Sequence, residues 1–90
     1  MEEIFTVGQF SNSGTIRNVF VPVSELEGKP YHERLRLILK YGQNDIQNSD
    51  KHPSVSTGDV INLDGNHWVV SKFGFTKITH EDWHAMTQAY

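Results

Sequence analysis

The chain contains no cysteine. That excludes disulfide staples and thiolate metal sites alike, and it leaves the redox compartment unmarked. Nor does charge of one sign dominate. Eight Lys and Arg stand against eleven Asp and Glu, for a net charge of −3. Such mild acidity argues against a nonspecific nucleic-acid binder, whose affinity comes from many phosphate contacts. It is also too scattered to imitate the charge density of DNA. Long hydrophobic runs are missing: no segment approaches the ~20 apolar residues of a membrane helix, and no basic start precedes an apolar core. Low-complexity blocks and internal repeats are absent as well. The expectation is a cytoplasmic protein with no membrane partner.

What is present suffices for a small core. Five Phe, three Tyr and two Trp are spread over 90 residues. One domain spanning 1–90 would bury about 60–65% of its unfolded surface, too little to enclose a deep pocket. Only three prolines interrupt it, at Pro22, Pro30 and Pro53.

The stretch Ser54 to Ile78, SVSTGDVINLDGNHWVVSKFGFTKI, organises the rest. Asp64-Gly65 lies between apolar runs and suits a two-residue type I′ turn, whose central positions both need positive φ. That register sets Leu63 opposite Asn66, Asn62 opposite His67, Ile61 opposite Trp68 and Val60 opposite Val69. Ile61, Leu63, Trp68 and Val70 then share one face, and Val60, Asn62, His67 and Val69 share the other. The second face is mixed and reads as half-covered. Gly58-Asp59 makes the turn that launches the first strand. Past Val70 the alternation shifts at Gly74, which predicts a bulge, a strand bend or a close backbone approach.

Ile4 to Phe10 predicts a strand, followed by the turn formers Ser11 to Thr15. Arg17 to Ser24 alternates through Val19, Val21 and Val23, and Pro22 assigns it to a sheet edge, because proline donates nothing to a ladder. Glu25 to Lys29 reads as a polar connector. A helix follows over Pro30–Tyr41, with Pro30 in its first turn and Tyr31, Leu35, Ile38 and Leu39 on one face. Glu33 and Arg36 are spaced for a weak surface pair. Gly42 is expected as a left-handed cap, and Gln43 to Pro53 as an exposed loop. Thr79 and Asp82 form a capping box that opens a short final helix bearing Trp83 and Met86. The fold class is therefore α+β: an antiparallel sheet of four to five strands with the main helix across one face. The short C-terminal helix closes an edge or end, and partial barrel closure through Gly74 is a variant of the same fold.

The most pointed motif is HEDWH, His80 to His84, which matches H-E-x-x-H. On a helix that spacing places two imidazoles on one face for zinc, with Glu81 as general base. No third ligand follows in AMTQAY, however, and the cap accounts for the same residues, since Glu81 and Asp82 favour a first helical turn. No catalytic residue, metal ligand or cofactor is therefore assigned. Lys51, Lys72 and Lys77 beside Trp68, Phe73 and Phe75 would suit stacking of single-stranded bases. The aromatics are equally explained as core. The candidate binding residues are Gln43, Asn44, Asp45 and Gln47 of the loop, with Asn62 and His67 of the hairpin. Turn chemistry for the first group, and a solvated sheet face for the second, are the plainer readings.

YGQNDIQ at Tyr41–Gln47, SVSTGDVINLDG at Ser54–Gly65 and FGFTKI at Phe73–Ile78 together resemble a group of small proteins encoded by bacteriophages, plasmids and integrative elements. The pattern is also similar to the YodL-like domain, with its SVSxGDVI…DG…V…GF ending. The resemblance runs from the first helix to Ile78, covers the first two strands loosely and leaves HEDWH outside. It implies a setting and carries over no catalytic or ligand residue. That setting is the cytoplasm of a bacterial host cell. The implied function is a non-enzymatic protein-binding accessory module that acts on a host or defence-system protein, as an inhibitor. A small β-sheet nucleic-acid binder is the first alternative and a zinc hydrolase using His80, Glu81 and His84 the second. Homodimerisation through the Pro22 edge or the terminal helix is compatible with all three.

Overall fold

The Asp-Gly turn forms as its sequence predicts. In the computed structural model, which describes residues 1–11, 14–44 and 53–89, Asp64 takes φ 52° and Gly65 φ 77°. Strands β3 (Val60–Leu63) and β4 (Asn66–Ser71) flank it. Their register pairs Val60 with Val69, Ile61 with Trp68, Asn62 with His67 and Leu63 with Asn66. A second two-residue turn, Lys72-Phe73, leads into β5 (Gly74–Ile78), with Ser71 opposite Gly74. Gly74 is thus neither bulge nor close approach. It opens a strand at φ 154°, and nothing lies within 4 Å of where its Cβ would be.

The other hairpin joins β1 (Glu2–Gln9) to β2 (Thr15–Pro22). β1 also pairs antiparallel with β3, Val7 opposite Ile61 and Gly8 opposite Val60. The result is a five-stranded sheet of order β2-β1-β3-β4-β5. It is antiparallel throughout and open, with no barrel closure. Pro22 falls on the β2 edge, where its missing donor breaks no ladder bond. The buried Asp59 carboxylate ties the two hairpins together. It accepts from the Ser11 N–H at 3.0 Å, the Ser11 hydroxyl at 2.5 Å and the Ser56 N–H at 2.9 Å.

The main helix, α2 (Tyr31–Tyr41), lies across the face bearing Phe5, Val7, Val19, Ile61 and Leu63. Leu35 and Ile38 are fully buried there, and burying each such side chain stabilises by about 1.5–3 kcal/mol. Two local expectations change. Pro30 is the N-cap rather than the first helical residue. Gly42 has φ −79°, so its role is not left-handed. A Cβ on Gly42 would come within 2.5 Å of Val55 Cγ2, and the glycine lets buried Val55 pack against the helix end. The supposed connector also differs. Val23–Leu26 forms a single helical turn, α1, that buries Leu26 in the core.

The last helix, α3 (His80–Gln88), starts with the expected capping box: the Thr79 hydroxyl accepts from the Asp82 N–H at 3.0 Å. Its position differs from the expectation of an edge or end. Trp83 meets Phe10 edge-to-face at 5.5 Å and stacks on His67 at 4.9 Å. Phe10 directly follows β1, and His67 is on the sheet face opposite α2. α3 therefore covers that second face. Gly8 makes room for it, since a Cβ there would be 2.8 Å from Trp83 and 2.5 Å from Phe10.

Candidate functional site

Of the candidate polar residues, the four described ones, Gln43, Asn44, Asn62 and His67, separate into two clusters on opposite sides of the molecule, and both are engaged internally. Gln43 donates through Nε2 to the carbonyls of Leu39 and Val55, each at 2.9 Å. Asn44 donates its N–H to Ser54 Oγ at 2.8 Å and accepts from Arg17 Nη1 at 2.7 Å. Arg17 also donates to the Pro53 carbonyl at 2.8 Å, where Gln9 Nε2 joins it at 2.6 Å. Arg17 and Gln9 are both buried. Desolvation lowers the Arg17 pKa from its ordinary value, and a guanidinium still stays charged. This cluster fastens the two ends of the connecting loop to the sheet. Asp45 and Gln47, with Lys51, lie outside the described residues.

On the other face a relay runs across three strands into α3. Asn62 Nδ2 donates to Thr6 Oγ1 at 2.8 Å. Asn62 Oδ1 lies 2.6 Å from His67 Nδ1, and His67 Nε2 lies 3.0 Å from His80 Nδ1. An amide oxygen only accepts, so the network assigns the His67 proton to Nδ1 and makes its Nε2 the acceptor of a His80 N–H. Burial, then the electrostatic influence of His80, lowers the His67 pKa from 6.5 and favours the neutral ring. The Trp83 ring lies parallel over it, 7° from coplanar. Asn62 and His67 are thus not solvated sheet positions: His67 is only 8% exposed. Their partners His80 and Trp83 belong to a helix that sequence reasoning placed elsewhere.

The imidazoles of HEDWH have separate engagements. His80 faces His67, while His84 Nε2 lies 2.9 Å from Gln88 Nε2. Among the described residues no group of three or more His, Cys, Asp or Glu side chains is gathered as a metal site.

A third region is open to a ligand. The Tyr31 ring stacks on Trp68, centroids 5.1 Å apart and planes 23° apart. With Leu35, Gly74 and Phe75 they line a groove of about 200 Å³, rimmed by His32 and Arg36. Tyr31 is 55% exposed. Lys77 is the cross-strand partner of Trp68 and shares its face. Phe73, in the turn at the groove's end, is 94% exposed, and the Lys72 ammonium sits 5.9 Å from its ring. The association of Trp68, Phe75 and Lys77 was visible in the sequence. The contribution of Tyr31, His32 and Arg36 was not, although Tyr31 falls one turn before Leu35 on the apolar stripe. Comparison with protein-family models, curated proteins and solved structures finds no match. The chemistry of the groove itself then carries the functional reading. Its walls suit a flat or apolar group, and its rim carries positive charge.

Proposed function

We propose that the chain is a non-enzymatic protein-binding module, the accessory protein of a bacteriophage or other mobile element that occludes a surface on a host or defence-system protein. The observation that carries the binding reading is the groove between α2 and β4–β5. Tyr31 there leaves more than half its surface in water instead of joining the core, and large aromatics held rigid at a surface are typical anchors of protein interfaces. The mobile-element setting, action as an inhibitor and a cytoplasmic location are supported by the sequence pattern of Tyr41–Ile78. Consistent with that location, no helix among the described residues is long and apolar enough to cross a membrane.

The test is affinity capture from a bacterial host lysate with the native chain and with Tyr31→Ala. Recovery of one protein at near-stoichiometric amount, lost with Tyr31→Ala, is the expected result. Nucleic acid retained in place of any protein would overturn it. The second reading, single-stranded nucleic acid stacking on the same groove, is favoured by Arg36, Lys72 and Lys77 beside Trp68 and Phe75. It requires binding that weakens steeply with salt.

A further inference from the structure

β5 is the outer strand on the groove side of the sheet, and among the described residues β4 is its single neighbour. The two-residue turn fixes which of its backbone groups are free. Ser71 and Gly74 close the turn as a hydrogen-bonded pair, so the bonded pairs alternate from there. Val69 with Thr76 and His67 with Ile78 exchange bonds, whereas Val70 with Phe75 and Trp68 with Lys77 do not. Val70 supports this phase, since its N–H and carbonyl are both used on the other side, with Asp59 and Gly58, each at 2.8 Å. The N–H and C=O groups of Phe75 and Lys77 therefore point outward from the edge. Their side chains lie on the sheet face that carries the groove. An added strand would meet free hydrogen-bonding groups and the aromatic groove together.

Charge is unevenly distributed around this edge. Arg36, with its side chain 72% exposed, His32 and Lys77 surround the groove, and Lys72 is at its end. Glu33 is the acid among them, 3.9 Å from Arg36. Glu2 and Glu3 begin β1, Glu25 lies in α1 and Glu27 directly after it, Asp64 is in the β3–β4 turn, and Glu81 and Asp82 lie on the other face. Among the described residues, a chain of net charge −3 thus presents a cationic rim at this edge.

We propose that the β5 edge and the adjoining groove dock an extended acidic segment of a partner protein. The segment adds as a sixth strand, hydrogen-bonding to Phe75 and Lys77. It inserts an aromatic or aliphatic side chain beside Tyr31 and Trp68 and sets carboxylates against Arg36 and Lys77. This rests on the protein-binding reading and names the partner's chemistry. Side chains of an added strand alternate, so those facing the groove are two residues apart. The required pattern is acidic-x-apolar-x-acidic. Lysine on an edge strand ordinarily deters pairing with other strands. Here Lys77 would repel basic strands, offer neutral ones no charge pairing and admit acidic ones, turning the deterrent into a selector.

The test uses three probes with the full chain: the peptides Glu-Thr-Phe-Thr-Glu-Thr and Lys-Thr-Phe-Thr-Lys-Thr, capped at both ends, and a twelve-nucleotide oligothymidine. Binding is followed by amide chemical shifts and amide exchange. The acidic peptide is expected to shift and protect the Phe75 and Lys77 amides and to bind at least tenfold more tightly than the basic one. Lys77→Glu should reverse that order, and Tyr31→Ala should weaken the acidic peptide at least tenfold. Both residues are exposed, and amide shift dispersion reports that each variant is folded. Equal affinity for the two peptides, no binding of the acidic one, or shifts confined to the α3 face would overturn the proposal. If lysate capture of a protein survives Lys77→Glu, the docking site falls and the binding module stands. If the oligonucleotide alone binds, both fall.

Discussion

The two faces of the sheet are covered by helices held in different ways. α2 is fastened by apolar burial: Leu35 and Ile38 are completely inaccessible and reach a core that includes Val7, Val19 and Ile61. α3 buries no residue. It is fastened by one half-buried indole and a histidine pair, while a capping box secures only its own first turn. Apolar burial is insensitive to protonation and adds up with area. The polar attachment depends on tautomers and alignment, and its parts fail together. The α2 face is therefore the stable foundation, and the α3 face is a cover that can be loosened by itself.

The largest expected effect comes from cutting into the foundation. Ile38→Ala should destabilise the whole domain by about 2–5 kcal/mol, the range for a buried aliphatic truncated in a core that cannot collapse. Equilibrium urea unfolding measures it, and a loss below about 1 kcal/mol would mean that α2 is not the principal closure. Gly8→Ala attacks the cover instead. The new methyl meets Phe10 and Trp83, and overpacking of this kind costs about 1–3 kcal/mol. Amide exchange should accelerate across His80–Gln88 while α2 stays protected. Uniform acceleration across the domain would erase the distinction between the faces.

The smallest effect is in pH dependence, and it sharpens the comparison most. Folded His67 binds its proton less readily than in the unfolded chain, because it is buried and faces His80. Stability from this site is complete above the unfolded value near 6.5 and declines as pH falls through it toward the lowered folded value. One proton limits the slope to about 1.4 kcal/mol per pH unit. Amide exchange of α3 at pH 7.5, 6.5 and 5.5 should show progressive loosening, and His67→Gln should flatten it. Parallel profiles for the two proteins would remove His67 from the attachment.

Much of the architecture was legible locally. Asp64-Gly65 needs positive φ at both positions, and that requirement set the register of β3 and β4 before any tertiary contact was known. Pro22 could stand only at an edge, and Thr79 with Asp82 announced the start of α3. Where expectations failed, the deciding contact was distant in sequence. Gly42 was expected to be left-handed, but its neighbour Val55 decides its role. Arg17, where the alternating segment begins, carries no sequence signal of burial, yet it is buried against Asn44 and Pro53.

The candidate sites divide the same way. Asn62 and His67 were chosen as neighbours, and they are, but their solvation depended on where α3 lands. A helix with one short apolar stripe carries no local signal for the surface it will cover. The groove likewise needs Tyr31 and Trp68 in contact across 36 intervening positions, which no periodicity encodes. The sequence by itself determined turns, strand register, edge assignment and helix starts, because these follow from φ preferences and hydrogen-bonding capacity within a few residues. Only the tertiary structure decided that α3 covers the second face, that the polar candidates are engaged internally, and that an aromatic groove with a cationic rim adjoins a free strand edge. Those outcomes follow from packing between elements, where the position of one surface is set by the shape of another.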